Sequence, residues 1–214
     1  MNSIPTKDQI KVVPKVMLHD HLDGGLRPQT IIDIAQEIGY TALPTHDAAE
    51  LATWFRESCD SGSLVRYLET FSHTIAVMQR RQDIVRVARE CALDLARDGV
   101  VYAEVRGAPE LFTEKGLSMS DVVEATLEGY EQGMQEAKAE GFTIVVRSLL
   151  CGMRQNKRSQ EVAELVVKLV SRHLIKKLLL FIFLKKMPFL LSMLVKRLES
   201  PQSGKQSKSA EQND

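Results

Sequence analysis

Three short apolar runs, each leading into a helical pattern, limit this chain to very few architectures. Residues 12–18 run into His-Asp-His-Leu-Asp-Gly-Gly and predict a buried strand that ends in a glycine turn. Residues 100–106 and 143–150 predict a second and a third strand. After the first, Pro28 opens a helical pattern with Ile31, Ile32, Ala35 and Ile38 on one face and Gly39 as its stop. Asp47 and Glu50 have capping-box spacing ahead of Leu51, Trp54 and Phe55. Leu64, Leu68, Phe71 and Ile75 repeat at helical spacing, and Asp83 precedes a run through Leu95 that stops at Gly99. Ser120 is expected to cap a helix through Ala139, and a further helix starts near Ser159. Apolar strands alternating with helices predict an α/β fold whose parallel sheet is buried on both faces. No repeat of roughly 20–50 residues is present, which argues against a solenoid.

The charge is unevenly spread. The 214 residues carry 28 basic and 28 acidic side chains, yet residues 168–214 alone hold ten Lys/Arg against three Asp/Glu. An acidic body, 1–167, is thus joined to a basic tail, 168–214. Within the tail, the apolar runs 178–184 and 189–195 are separated by Lys185, Lys186 and Pro188. Neither approaches the roughly 20 apolar residues of a membrane span. A basic interfacial segment is conceivable, but the lysines read first as a solvated face. From Glu199 onward the composition predicts disorder. Cys59, Cys91 and Cys151 are scattered and odd in number, which fits a reducing compartment, and the first residues lack a signal-peptide pattern. A cytoplasmic location is expected.

His19, His21 and Asp23 alternate at the end of the first strand, so their side chains share one face. Two imidazoles suit zinc, but a catalytic zinc usually takes three protein ligands and an open position. An HxH pair alone is therefore weak evidence. Asp23 could equally cap the turn at Gly24-Gly25, and the Leu64, Leu68, Phe71 and Ile75 stripe reads by itself as core. Glu104 and Arg106 on the second strand suit an internal ion pair as well as a site role. His46 and His73 read as solvated or packing residues, and Cys151 as inert.

In their wider context these residues resemble a known family. Residues 15–27, Lys-Val-Met-Leu-His-Asp-His-Leu-Asp-Gly-Gly-Leu-Arg, are similar to the metal-binding opening of adenosine deaminases. Residues 63–71, 98–106 with Ala108-Pro109-Glu110, and 145–154 resemble further segments in the family's order, covering about residues 12–167. The match looks most like the bacterial type. It implies the N-terminal part of a zinc-dependent (β/α)8 barrel, with extra helices after the first strand. The reaction implied is hydrolytic deamination of adenosine or deoxyadenosine to inosine or deoxyinosine, a cyclic-amidine C–N hydrolysis of purine salvage. By this resemblance His19 and His21 match two zinc ligands, with His21 also facing the substrate. Asp23 matches the ribose-binding carboxylate, and Leu64, Tyr67, Leu68 and Phe71 match the helix that lids the nucleoside.

The rest of the family pattern is not matched. No His-Ala-Gly-Glu motif, later ligand histidine or Asp-Asp pair follows, and the Ser-Arg-His-Leu-Ile context of His173 is unlike a ligand motif. The chain leaves the pattern near residue 168, as a frameshift, an unspliced intron or an alternative exon would make it do. The expectation is a half-barrel with half its metal site, no catalytic residue retained and little or no deaminase activity. Its partner is a small nucleoside, with no nucleic acid and no membrane span. The rival readings are a non-catalytic nucleoside- or partner-binding fragment and another metal-dependent barrel hydrolase.

Overall fold

The computed structural model describes residues 4–171 and 178–180. Four parallel strands lie in sequence order: β1 (Lys15–His21), β2 (Val100–Gly107), β3 (Val145–Leu150) and β4 (Leu178–Leu180). Before them stands α1 (Lys7–Val12), whose N-cap Thr6 forms a reciprocal capping box with Gln9. This helix takes the start of the expected first strand, because Pro14 separates it from β1. The strand therefore begins three residues later than its apolar pattern suggests.

The insertion between β1 and β2 contains four helices: α2 (Pro28–Ile38), α3 (Ala48–Cys59), α4 (Leu64–Val77) and α5 (Arg81–Arg97). Local chemistry sets their ends. Pro28 occupies the first turn of α2, and Gly39 closes it with φ 70°. Asp47 accepts hydrogen bonds from the Ala49 and Glu50 amides to start α3, and Ser63 caps α4. Helix α6 (Met119–Ala139) starts from Ser118, not Ser120, because Asp121 completes a capping box with it. Helix α7 (Ser159–Ser171) follows β3 and runs without a break past residue 168.

The core lies between the sheet and this helical layer. Ala103, Val105 and Val146 pack with Ala88, Ala92, Ala125 and Tyr130 of α5 and α6. A polar staple ties α2 to α5. Buried Glu90 accepts from the Thr30 hydroxyl at 2.6 Å and from Arg86 at 3.0 Å, while Arg86 also reaches Asp33. Arg27 adds two bonds to Asp94. Breaking such a buried pair costs about 3–5 kcal/mol, so the network holds the insertion in a fixed pose.

Strand β1 is the principal correction to the sequence reading. Its apolar run predicts burial, yet Val16 and Leu18 are 57% and 59% exposed. Among the described residues β1 pairs only with β2, so its far edge has no neighbour. A bulge also interrupts it: Met17 pairs with Ala103 and Asp20 with Val105, three steps against two. Met17 and Asp20 therefore both follow Ala103 and Val105 onto the helix-covered face, which simple alternation forbids.

Candidate active site

Past the bulge, His21 pairs with Arg106, which pairs in turn with Leu149. Paired residues project to the same face, opposite the helical layer, and His19 joins them two residues before His21. The two imidazoles stand side by side, with ring centroids 5.4 Å apart and planes 32° from parallel. Both are exposed. Directly after β1, a 3-10 turn (Leu22–Gly24) turns the chain inward. Asp23 in this turn is only 6% exposed, and its Oδ1 lies 3.8 Å from His21 Nδ1 with no hydrogen-bond partner among the described residues. Asp23 makes no turn-capping hydrogen bond at Gly24-Gly25. A buried carboxylate oxygen left without a donor is costly, and a ligand hydroxyl would satisfy it.

That carboxylate lies in the wall of a cavity of about 450 Å³ between α2, α3 and α4. Phe55, Arg56, Tyr67, Thr70 and Phe71 also line it, with the Tyr67 and Phe71 rings edge-to-face at 5.4 Å. Aromatic walls with a few fixed polar groups suit a small planar ligand that carries hydroxyls. The four lid residues expected from sequence are thus divided. Tyr67 and Phe71 line the cavity, whereas Leu64 and Leu68 do not and are 69% and 55% exposed. Helix α4 buries Thr70, His73, Thr74 and Val77 instead of a leucine stripe.

The helix is fixed at its far end by polar contacts. Tyr40 Oη lies 2.9 Å from His73 Nδ1, and the Trp54 ring packs edge-on to His73 at 5.3 Å. Burial holds the His73 imidazole below its ordinary pKa, against a small opposing effect of Glu69. At the end of α4, the Gln79 side-chain amide donates to the Ile75 and Leu111 carbonyls, and its oxygen accepts from the Glu114 amide. The helix is thereby linked to the loop that follows β2.

On β2 and β3, the face that carries the histidines also carries charge. Glu104 accepts from the Tyr102 hydroxyl at 3.0 Å and pairs in register with Arg147, while Arg106 is buried. Glu110, which the sequence reading left without a role, is buried in the turn Pro109–Phe112. One of its oxygens accepts from the Met153 amide, and the other lacks a partner among the described residues. Burial pushes the Cys151 thiol up, with Arg106 opposing and Asp23 and Glu110 reinforcing.

Comparison with known proteins decides the family. A family model described as adenosine deaminase matches residues 14–176. The chain belongs to the adenosine deaminase family. It is 59% identical over 165 residues to adenosine deaminase 1 of Streptomyces coelicolor, covering 77% of this chain and 42% of that protein. With adenosine deaminase of Mycobacteroides abscessus it is 55% identical over 163 residues, covering 76% of this chain and 45% of the relative. It therefore spans less than half the length of these curated relatives. Among solved structures, an Arabidopsis ADAL complexed with GMP aligns with TM-score 0.66 at 22% identity, covering 89% of this chain and 57% of the other. Adenine deaminase from Arthrobacter aurescens aligns with TM-score 0.60 at 23% identity, covering 86% and 54%. A zinc-bound amidohydrolase from Burkholderia ambifaria aligns with TM-score 0.62 at 23% identity, covering 91% and 52%. At such identities the agreement concerns the fold: four sequential parallel strands with their helices form part of an adenosine deaminase barrel.

The family implies a metal, and the donors here fit one in part. His19 and His21 present two imidazoles on one face at the end of a strand. Among the described residues, however, no group of three or more His, Cys, Asp or Glu side chains converges as a metal site. Two nitrogens make half of a zinc site. None of the described helices is long and apolar enough to cross a membrane. The tail features expected from sequence, His173, the second apolar run and the disordered end, lie outside the described residues.

Proposed function

We propose that this chain is the nucleoside-recognising half of a zinc-dependent adenosine deaminase, acting in cytoplasmic purine salvage on adenosine or deoxyadenosine. The observation that carries the reading is the cavity beside the HxH pair, whose wall holds Asp23 together with Tyr67 and Phe71. In this reading Asp23 accepts a hydrogen bond from a ribose hydroxyl. Tyr67 and Phe71 shield the nucleoside from water, and Tyr40 and His73 hold their helix in place. His19 and His21 hold the zinc, whose Lewis acidity would activate water near neutral pH. The resemblance and the family membership support these roles.

The carboxyl that donates a proton to the purine in this family has no match in the sequence, and neither do the later metal ligands. Residues that act as a unit lose almost everything when some are missing. The 214-residue chain is therefore expected to bind nucleoside while turning it over little or not at all. In this reading the family portion, expected over 1–167, continues to residue 176, where the family match ends, and a divergent tail follows. Titration calorimetry with adenosine, deoxyadenosine, adenine and cytosine, beside an ultraviolet assay for inosine, tests both halves of the claim. Binding of the nucleosides that disappears in Asp23→Ala supports it. A folded, zinc-supplied chain that binds none of them refutes it, and a preference for cytosine would favour a different barrel hydrolase.

A further inference from the structure

Two buried side chains, Gln79 and Glu110, join the wall of the cavity to the ends of the strands without lining the cavity themselves. The Gln79 amide nitrogen donates to the Ile75 carbonyl in the last turn of α4 and to the Leu111 carbonyl, both at 2.9 Å. Its oxygen accepts from the Glu114 amide at 3.0 Å, so both donors and the acceptor of one side chain are in use. Leu111 belongs to the turn Pro109–Phe112, and the same turn carries Glu110, whose carboxylate accepts from the Met153 amide. Met153 lies in the loop after β3, and that loop is itself folded tightly. Its carbonyl accepts from the Asn156 amide at 3.1 Å, and a Cβ on Gly152 would stand 3.0 Å from the Ser159 Cα at the start of α7.

A continuous path thus runs from Ile75 through Gln79, the turn and Glu110 to Met153. At one end, α4 supplies Tyr67, Thr70, Phe71 and Thr74 to the cavity wall. At the other lie the loops that follow β2 and β3, on the face where barrel enzymes place their reacting groups. Loops on such a face are ordinarily the mobile parts of a fold. Burying an amide and a carboxylate is costly unless they are bonded, and a satisfied polar network rigidifies what it joins. Here each bond is made to the backbone of a different segment, so the network fixes the segments relative to one another. We infer that Gln79 and Glu110 are positioning residues that couple α4 to the loop after β3, so that a ligand filling the cavity also steadies the C-terminal end of β3. The ligand part of this inference rests on the nucleoside reading of the cavity.

The test uses the full 214-residue chain and follows amide hydrogen exchange over α4, over residues 151–158 and, as an internal control, over residues 129–139 of α6. Without ligand, Glu110→Ala speeds exchange in the last turn of α4 as well as in 151–158. Gln79→Met, of similar length but unable to make the three bonds, speeds it in 151–158 as well as in α4. Both leave 129–139 unchanged, and Glu110→Gln restores the parent pattern because its amide oxygen still accepts from the Met153 amide. In the parent, adenosine slows exchange in 151–158, none of which lines the cavity. Either Gln79→Met or Glu110→Ala abolishes that slowing and weakens adenosine binding at least about fivefold, and the double variant weakens it no further because one link is already broken. Exchange that rises only beside the substituted residue overturns the coupling, and so does loosening that reaches 129–139 equally, which marks a purely structural role. Adenosine that binds the parent yet leaves 151–158 unchanged also overturns it. A parent that binds no adenosine overturns the nucleoside reading instead, and the ligand-free exchange then decides the coupling by itself.

Discussion

Replacing Gly129 with Ala reverses the usual sign of a helix substitution. In an exposed helix interior, Gly to Ala stabilises by about 1 kcal/mol. In α6, however, Gly129 and Gly133 lie directly against α5. A Cβ on Gly129 would stand 2.6 Å from the Ala88 Cβ and also strike the Val85 carbonyl, and one on Gly133 would stand 2.8 Å from the Ala92 Cβ. Carbon atoms in contact prefer about 3.5–4.0 Å. The two helices would have to separate by about 1 Å, opening a contact that Val87, Ala88, Ala92 and Tyr130 now fill. Overpacking of this kind costs about 1–3 kcal/mol. The upper part of that range applies, because the obstruction includes backbone as well as a methyl group. After the gain in propensity, each substitution should destabilise by about 1–2 kcal/mol. For a chain of this size that lowers Tm by about 2–8 °C. Thermal melting by circular dichroism and urea unfolding followed by Trp54 fluorescence read the change. Adding Ala88→Gly to Gly129→Ala should recover part of the loss and no more, since the Val85 carbonyl stays in place. A Gly129→Ala protein that melts higher than the parent would refute the close-packed crossing.

Three further outcomes follow from buried polar groups. His73 is held neutral by burial, so the unfolded chain binds more protons near its ordinary pKa of about 6.5. Stability should therefore fall as pH drops from above that value toward the lowered folded pKa. Urea midpoints at pH 7.5 and 5.5, about one unit either side, show this, and His73→Gln should flatten the dependence while its neighbour Trp54 reports the change. Glu90→Ala leaves Arg86 and Thr30 facing a void and should cost about 3–5 kcal/mol, seen as a lower urea midpoint at unchanged slope. Asp23→Asn replaces a buried carboxyl whose Oδ1 lacks a hydrogen bond, so Tm should hold or rise while adenosine binding weakens by tenfold or more, about 1.4 kcal/mol, in calorimetry. Equal losses of stability and binding would return Asp23 to a purely structural role.

Much of the fold was legible because its signals are local. Asp47, Pro28 and Gly39 act on their own helix ends, and the structure finds them there. The strand–helix alternation fixed the parallel sheet, and the period of two placed both histidines on one face. Ser120 yielded to Ser118 only because a second capping partner lay at Asp121.

What the sequence by itself determined, then, is the order and direction of the elements, the family motif and which chemical groups cluster after β1. Each depends on neighbours along the chain. Tertiary structure alone decided which of these groups are buried. Helix α4 turns Thr70 and His73 inward and leaves Leu64 and Leu68 outside, because its position is set by α2, α3 and the loop after β2. The apolar strand β1 stays exposed because burial requires a partner on both sides, and among the described residues it has one. Asp23 and Glu110 acquire their unpartnered oxygens only when distant segments close over them. Burial is a property of the assembled neighbours, and no local pattern encodes whether those neighbours are present.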